Sequence, residues 1–159
     1  MFKKSKASPR TTPAAKKLRV GIVAASYNPE LVDALLHATQ TTLLRAGIRS
    51  LKVVRVPGSY EIAVAVAALA RSRKFDVLLA LGVVIQGKTS HAEHITLATT
   101  INLQCIAVET GVPVIHQILS PKNVRDAKAR VRVRGAEAAI SAIRMAEIMK
   151  NEGWKTKSR

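Results

Sequence analysis

The chain has 159 residues, of which 48% are apolar and 3% aromatic, so it fits one globular domain with an aliphatic core. Its single cysteine excludes a disulfide framework and predicts a reducing compartment, the cytoplasm. The longest unbroken apolar run, residues 62–70, is too short to span a bilayer, and no apolar stretch follows the N-terminal lysines. We therefore expect neither a membrane protein nor a secreted one.

The net charge of +16 is concentrated in three segments. Residues 1–19 carry seven positive charges and no negative charge. Residues 120–134 carry six positive charges and one negative charge, and residues 150–159 carry four positive charges and one negative charge. This distribution predicts a disordered basic arm over 1–18, a single domain over 19–150 and a basic tail over 151–159. Each tail has a single aromatic residue, Phe2 or Trp154, and no series of aromatics interleaved with the basic residues, so any polyanion contact through the tails would be non-specific.

Strands and helices alternate from Arg19 onward. The predicted buried strands are Val20–Ala25, Leu51–Val56, Asp76–Leu81 and Pro113–Leu119. The predicted helices are Pro29 to Gly47 with Asn28 as side-chain cap, Tyr60–Arg71, His91–Glu109, Val124–Arg130 and Gly135–Lys150. This order predicts a three-layer α/β/α sandwich with a four-stranded parallel, flavodoxin-like sheet.

Ligands bind such sheets at the carboxyl ends of the strands. The candidate site therefore comprises 26–28, 57–61, 83–91 and the end of the fourth strand. Two of the five aromatic residues, Tyr27 and Tyr60, follow strands here and suit a stacking platform for a planar ring.

The third of these segments matches a nucleotide-binding pattern. Gly82–Thr89 fits G-x-x-x-x-G-K-[ST] between a strand and a helix, as in a P-loop. Its β-branched variable positions suit a tight loop poorly, and no predicted strand ends in an acid that could hold Mg²⁺. We keep the anion site that backbone N–H groups form at a helix N-terminus and leave the nucleotide-binding protein as an alternative.

The histidines differ in position. His91 opens the third helix beside the anion loop, where an imidazole with a pKa near neutrality suits proton transfer. His37 and His116 lie within a helix and a strand, where a packed histidine is the ordinary expectation. Cys105 lies in an apolar helical run and is expected to be a small buried hydrophobe.

Taken in order, the strand ends resemble the lumazine synthase family over roughly residues 18–150. The segments that carry the resemblance are Gly21–Asn28, Val56–Ile62 (V-P-G-S-Y-E-I), Leu81–His91 (L-G-V-V-I-Q-G-K-T-S-H), Gly111–Ile115 and Gly135–Ala139.

The resemblance implies a cofactor-free, metal-free transferase of riboflavin biosynthesis. It condenses 5-amino-6-(D-ribitylamino)uracil with 3,4-dihydroxy-2-butanone 4-phosphate to 6,7-dimethyl-8-ribityllumazine. It further implies a homo-oligomer built from pentamers, with each active site between neighbouring subunits.

The resemblance also assigns roles to residues. His91 is the implied proton shuttle, and Tyr27 stacks on the pyrimidine. The ribityl chain is held by Ser59, Tyr60 and Glu61, and the uracil by backbone groups of Val83, Val84 and Ile85. Lys88, Thr89 and a neighbour's Arg130 bind the phosphate.

The chain departs from the family pattern at three places. Ser26-Tyr27 replaces the usual Arg-Phe, and His116 stands where the neighbouring subunit commonly contributes an aromatic. Only residues 131–133 separate Arg130 from Arg134, which shortens the expected loop between the last two helices and leaves pentamer, decamer and 60-subunit shell open. A non-enzymatic nucleic-acid-binding shell that uses the basic tails is the remaining alternative.

Overall fold

The computed structural model describes residues 15–153, which form one four-stranded parallel sheet between two helical layers. The strands are β1 (Arg19–Ala25), β2 (Ser50–Val56), β3 (Val77–Val83) and β4 (Val114–Leu119), in the order β2-β1-β3-β4. The helices are α1 (Pro29–Arg45), α2 (Ile62–Arg71), α3 (His91–Thr110) and α4 (Val124–Asn151). The predicted fold class is confirmed.

The core has two halves, one on each face of the sheet. Alternate residues of β1 point to opposite faces, as the two-residue period of a strand requires. Val20, Ile22 and Ala24 pack with α1 and α4, whereas Val23 and Ala25 pack with α2 and α3. Because β1 and β3 are central and covered on both faces, they consist of small and aliphatic residues except for the exposed Arg19 at the start of β1.

The folded part begins before Arg19. A single 3₁₀ turn, Ala15–Lys17, precedes β1, and the side chains of Ala15 and Leu18 are fully buried in the α1/α4 half of the core. The expectation of a disordered arm extending to residue 18 was therefore wrong for residues 15–18, because Leu18 adds apolar area to the core. The rest of the predicted arm and residues 154–159 of the predicted tail lie outside the described residues.

The predicted break between the last two helices is absent, since α4 is one continuous helix of 28 residues. Residues 131–134 were expected to be a loop, but Val131 is buried and continues the helical spacing of small inward-facing residues from Ala127 to Ala146. Gly135 then lies against α1, where an added Cβ would meet the Ala38 side chain at 2.9 Å. Packing against α1 thus maintains the helix through a segment rich in β-branched residues.

A cluster of charges fastens the amino edge of the sheet, opposite the strand ends. The Asp76 carboxylate accepts hydrogen bonds from the Arg19 backbone N–H at 2.7 Å and from its guanidinium at 3.1 Å, and Lys150 lies 3.8 Å away. Burial acts to raise the pKa of Asp76, but the Arg19 hydrogen bonds and the charge of Lys150 outweigh it and hold the pKa below its ordinary value. No helix among the described residues is long and apolar enough to cross a membrane.

Asp76→Asn should lower the free energy of unfolding at pH 7 by about 1 kcal/mol, a modest value because Arg19 is half exposed. A depressed pKa contributes stability above the unfolded-state value, about 4, and that stability is lost as pH falls through the folded-state pKa. Urea unfolding at fixed protein concentration should therefore show the difference from wild type at pH 7 and a progressively smaller difference as the pH falls below about 4. The exposed Glu109→Gln is the control, and a pH-independent difference would contradict the role of Asp76.

Candidate active site

Hydrogen bonds between neighbouring strand ends hold the carboxyl edge of the sheet together. After β1, Ser26 N–H donates to the Val56 carbonyl at 2.7 Å and Tyr27 N–H to the Pro57 carbonyl at 3.0 Å. After β3, Val84 N–H donates to the Leu119 carbonyl at 2.8 Å. All four predicted segments therefore form one continuous edge.

Asn28 links the first and third of these segments, a role that sequence reasoning missed. It was expected to cap α1, but its backbone is left-handed (φ 56°) and its side chain makes no cap hydrogen bond. Its amide instead donates to the Val83 carbonyl at 2.9 Å. Asparagine tolerates this conformation better than most residues, and its short amide crosses from β1 to β3.

The turn after β2 packs tightly against β3. Ser59 is buried, and a Cβ added at Gly82 would lie 2.5 Å from its hydroxyl oxygen. The Glu61 carboxylate accepts a hydrogen bond from Gly58 N–H at 2.9 Å and closes the turn. The Ser59 and Glu61 side chains thus have structural partners within the chain, besides the ribityl-binding roles that the resemblance implies.

The two tyrosines of this edge are the most exposed aromatic side chains of the described residues. Tyr27 is 72% and Tyr60 64% exposed, and they follow the adjacent strands β1 and β2. Large apolar rings left in solvent at strand ends are available to cover a planar ligand.

The backbone of residues 83–85 offers a specific set of hydrogen-bonding groups. The Val83 carbonyl accepts a hydrogen bond from the Asn28 side chain, and the Val84 N–H donates to the Leu119 carbonyl. Within residues 15–153, no partner is found for the Val84 carbonyl or for the N–H and carbonyl of Ile85. One donor and two acceptors are therefore free at a partly buried position, where a ligand can satisfy them.

The start of α3 is an uncapped helix N-terminus. Its N-cap Ser90 makes no side-chain hydrogen bond to the first turn, so the first N–H groups of α3 have no capping partner in the described part of the chain. An open cavity of about 390 Å³ lies beside it, and its lining residues are Gln86, Gly87, Thr89, Ser90, Ala92, Glu93, Thr96 and Ser120. Lys88 and His91 are exposed next to this cavity. The arrangement suits a small anion held near an imidazole.

Comparison with known proteins matches this chain to one family. The family model for 6,7-dimethyl-8-ribityllumazine synthase matches residues 17–150. The 6,7-dimethyl-8-ribityllumazine synthase of Paracidovorax citrulli is 35% identical over 136 residues, covering 84% of this chain and 88% of that protein. The 6,7-dimethyl-8-ribityllumazine synthase of Polynucleobacter necessarius is 37% identical over 133 residues, covering 82% of this chain and 78% of that protein. The chain belongs to the lumazine synthase family.

The nucleotide-binding alternative fails on the position of Gly82. In this lumazine synthase family member Gly82 lies inside β3 and is buried against Ser59, so only Gly87 of the two glycines is in the loop. A P-loop requires a glycine-rich loop after the strand to wrap the phosphates. The candidate anion site is therefore the short loop and the start of α3.

Two predicted site residues lie apart from this edge within the chain. His116 is in the middle of β4, level with Ala80, and its Nε2 is 2.9 Å from the Thr100 hydroxyl oxygen. Arg130 is exposed on α4 and has no ion-pair partner in residues 15–153. Neither is brought into the chain's own cluster.

Gly82→Ala tests whether the close approach between β3 and the turn after β2 shapes the site. The added methyl group would overlap the Ser59 hydroxyl, so we expect a loss of about 1–3 kcal/mol in unfolding free energy. Removing the hydroxyl should relieve this overlap, because the Ser59 Cβ would lie 3.4 Å away. Chemical denaturation should therefore show Gly82→Ala/Ser59→Ala to be more stable than Gly82→Ala. An equally unstable double variant would refute the contact.

Proposed function

We propose that this protein condenses 5-amino-6-(D-ribitylamino)uracil with 3,4-dihydroxy-2-butanone 4-phosphate to form 6,7-dimethyl-8-ribityllumazine, a step of riboflavin biosynthesis. The observation that carries the proposal is one sheet edge with exposed aromatic rings, free backbone groups and an uncapped helix start beside His91. Family membership supports the same reaction.

The pyrimidine occupies the middle of this edge. The free Ile85 N–H and the carbonyls of Val84 and Ile85 complement the alternating acceptors and donors of a uracil ring. Tyr27 covers the face of the ring, and the turn at Ser59, Tyr60 and Glu61 receives the ribityl chain. The departure from Phe to Tyr at residue 27 keeps a flat apolar face with one added hydroxyl.

The phosphate occupies the start of α3. Its charge is stabilised by the helix dipole and the free N–H groups, by Lys88, and by the Thr89 hydroxyl. Arg130 completes this subsite from a neighbouring subunit, which accounts for its position away from the loop in its own chain. A guanidinium binds phosphate through paired hydrogen bonds.

His91 moves protons between the two substrates. An amine of the pyrimidine attacks the ketone carbon, water leaves as the imine forms, phosphate is eliminated, and ring closure releases a second water. Each step needs a proton taken up or given back near the carbonyl oxygen or the adjacent carbon, and imidazole does both near neutral pH. These reaction steps involve no net oxidation or reduction of the substrates, so we infer that no cofactor is required.

The outer face of α3 supports an oligomer. Leu97, Ile101, Cys105 and Val108 are exposed at helical spacing, and Val64 is exposed on the adjoining α2. The expectation of a buried Cys105 was wrong, because α3 is apolar on its outward face as well as its inward one. A contiguous apolar stripe is covered well by a second copy, and a head-to-tail contact between copies closes into a ring when the rotation between them allows it. The family resemblance implies rings of five. We infer pentamers, and place the protein in the cytoplasm on the strength of its single free thiol.

The opposite layer carries the basic segment. Lys122, Arg125 and Arg132 are exposed on or next to α4. They support non-specific contact with polyanions in addition to any made by the tails.

Mixing both substrates with the protein should yield 6,7-dimethyl-8-ribityllumazine, and its formation can be monitored by its absorbance. His91→Ala should slow turnover by roughly 10²-fold or less, because imine formation proceeds partly unaided. His94→Ala, one helical turn further along α3, is the matched control and should leave the rate unchanged. A folded wild-type oligomer that makes no product would refute the proposed function, and an unaffected His91→Ala would remove His91 from it.

Light scattering should give a mass that is a multiple of five chains. Ile101→Asp places a charge in the apolar stripe and should release smaller species, since a buried unpaired carboxylate costs several kcal/mol. Leu44→Asp, on the exposed part of α1, should leave the mass unchanged. A monomeric wild type, or an Ile101→Asp variant of unaltered mass, would contradict assembly through α3.

A further inference from the structure

His116 and Thr100 form a polar pair at the border of the apolar stripe on α3. Their side chains meet at 2.9 Å between the Thr100 Oγ1 and the His116 Nε2. Thr100 follows Leu97 of the stripe by three residues, so the two are neighbours on the surface of α3. The even-numbered residues of β4 point to the α2/α3 side, as the packing of Val114 and Ile118 shows. A second copy that covers the stripe therefore comes next to His116.

Thr100 is itself held in place. Its hydroxyl also lies 2.7 Å from the carbonyl oxygen of Thr96, one turn earlier in α3. A threonine hydroxyl bonded to the preceding turn is fixed to one rotamer of a rigid helix. The imidazole is thus tied through Nε2 to the backbone of α3, although both residues are exposed to solvent.

The chemistry of the ring follows from this contact. Nε2 is occupied within the chain and is not available to a ligand. Partial desolvation by the surrounding atoms lowers the pKa of His116, against a smaller opposing effect of its own backbone carbonyl, and this favours the neutral ring. A neutral imidazole with Nε2 occupied has Nδ1 as its only other polar atom and otherwise offers its flat face, as an aromatic residue does.

We propose that Thr100 is a positioning residue that pins the His116 imidazole, so that the ring presents its face to the pyrimidine bound in a neighbouring subunit. This inference rests on the proposed function and on the family resemblance, which puts His116 where a neighbouring subunit contributes an aromatic residue to the pyrimidine pocket. It explains how a histidine serves at a position where an aromatic is usual: the hydrogen bond supplies the fixed orientation that a bulkier ring obtains by packing.

The test compares Thr100→Val, Thr100→Ser, His116→Phe and Thr100→Val/His116→Phe by steady-state kinetics with each substrate varied in turn. Thr100→Val keeps the shape and removes the hydroxyl, so KM for the pyrimidine should rise about 2- to 10-fold, the effect of one hydrogen bond. KM for the butanone phosphate should stay within twofold, and Thr100→Ser, which keeps the hydroxyl, should retain the wild-type KM for the pyrimidine. In the His116→Phe background, Thr100→Val should have no further effect.

Three results would overturn the inference: a Thr100→Val variant like wild type, an equal rise in KM for both substrates, or an effect that persists in the His116→Phe background. An effect that persists in the His116→Phe background would indicate that Thr100 acts by packing on α3 and not by orienting the His116 ring. Calorimetric binding of the pyrimidine alone gives the same comparison without turnover. If the wild type makes the lumazine and the kinetic constants of Thr100→Val are those of wild type, only this inference is refuted. If the wild type makes no lumazine, both the proposed function and this inference are refuted.

Discussion

The structure depends on the close approach of β3 to the turn that follows β2. Gly82 has no side chain, and the hydroxyl of Ser59 fills the space that a Cβ would take. This contact fixes the turn carrying Tyr60 against the strand that leads into Val84 and Ile85. Asn28 adds the second link, from the end of β1 to the Val83 carbonyl. The stacking face and the free backbone groups are thus set at one edge before any ligand arrives, which is the preorganisation that a condensation of two small molecules needs.

The stabilising charges and the candidate site occupy opposite edges of the sheet. Arg19, Asp76 and Lys150 tie the amino edge with partly buried charges. At the carboxyl edge, the start of α3 and the Ile85 backbone have no partners among residues 15–153, and two tyrosines are exposed. The helical layers are divided in a similar way. The α2/α3 layer exposes an apolar stripe with the Thr100–His116 pair beside it, and the α1/α4 layer exposes cations.

Sequence patterns predicted every strand and the start of α3, because apolar runs bounded by Gly, Pro and Asn are local signals. They failed where packing between elements determines the local structure or the burial of a side chain. The Val-Arg-Val-Arg segment before Gly135 favours extended structure locally, but burial of Val131 against α1 keeps it helical. Cys105 was expected to be buried because an apolar helix does not reveal whether its second face meets the core or another copy. The Asn28 link and the Thr100–His116 pair depend on residues 55 and 16 positions apart, and no spacing rule indicates them.

The central claim is that each active site joins His91 and the α3 anion loop of one chain to Arg130 of the next. Co-assembly of a His91→Ala chain with an Arg130→Ala chain tests it directly, because each variant alone lacks one half of every site. In randomly mixed rings made from equal amounts, about a quarter of the sites regain both residues, so activity should rise to about a quarter of wild type. If the mixture shows only the average of the two variants, the two residues do not meet across subunits and the shared site is wrong.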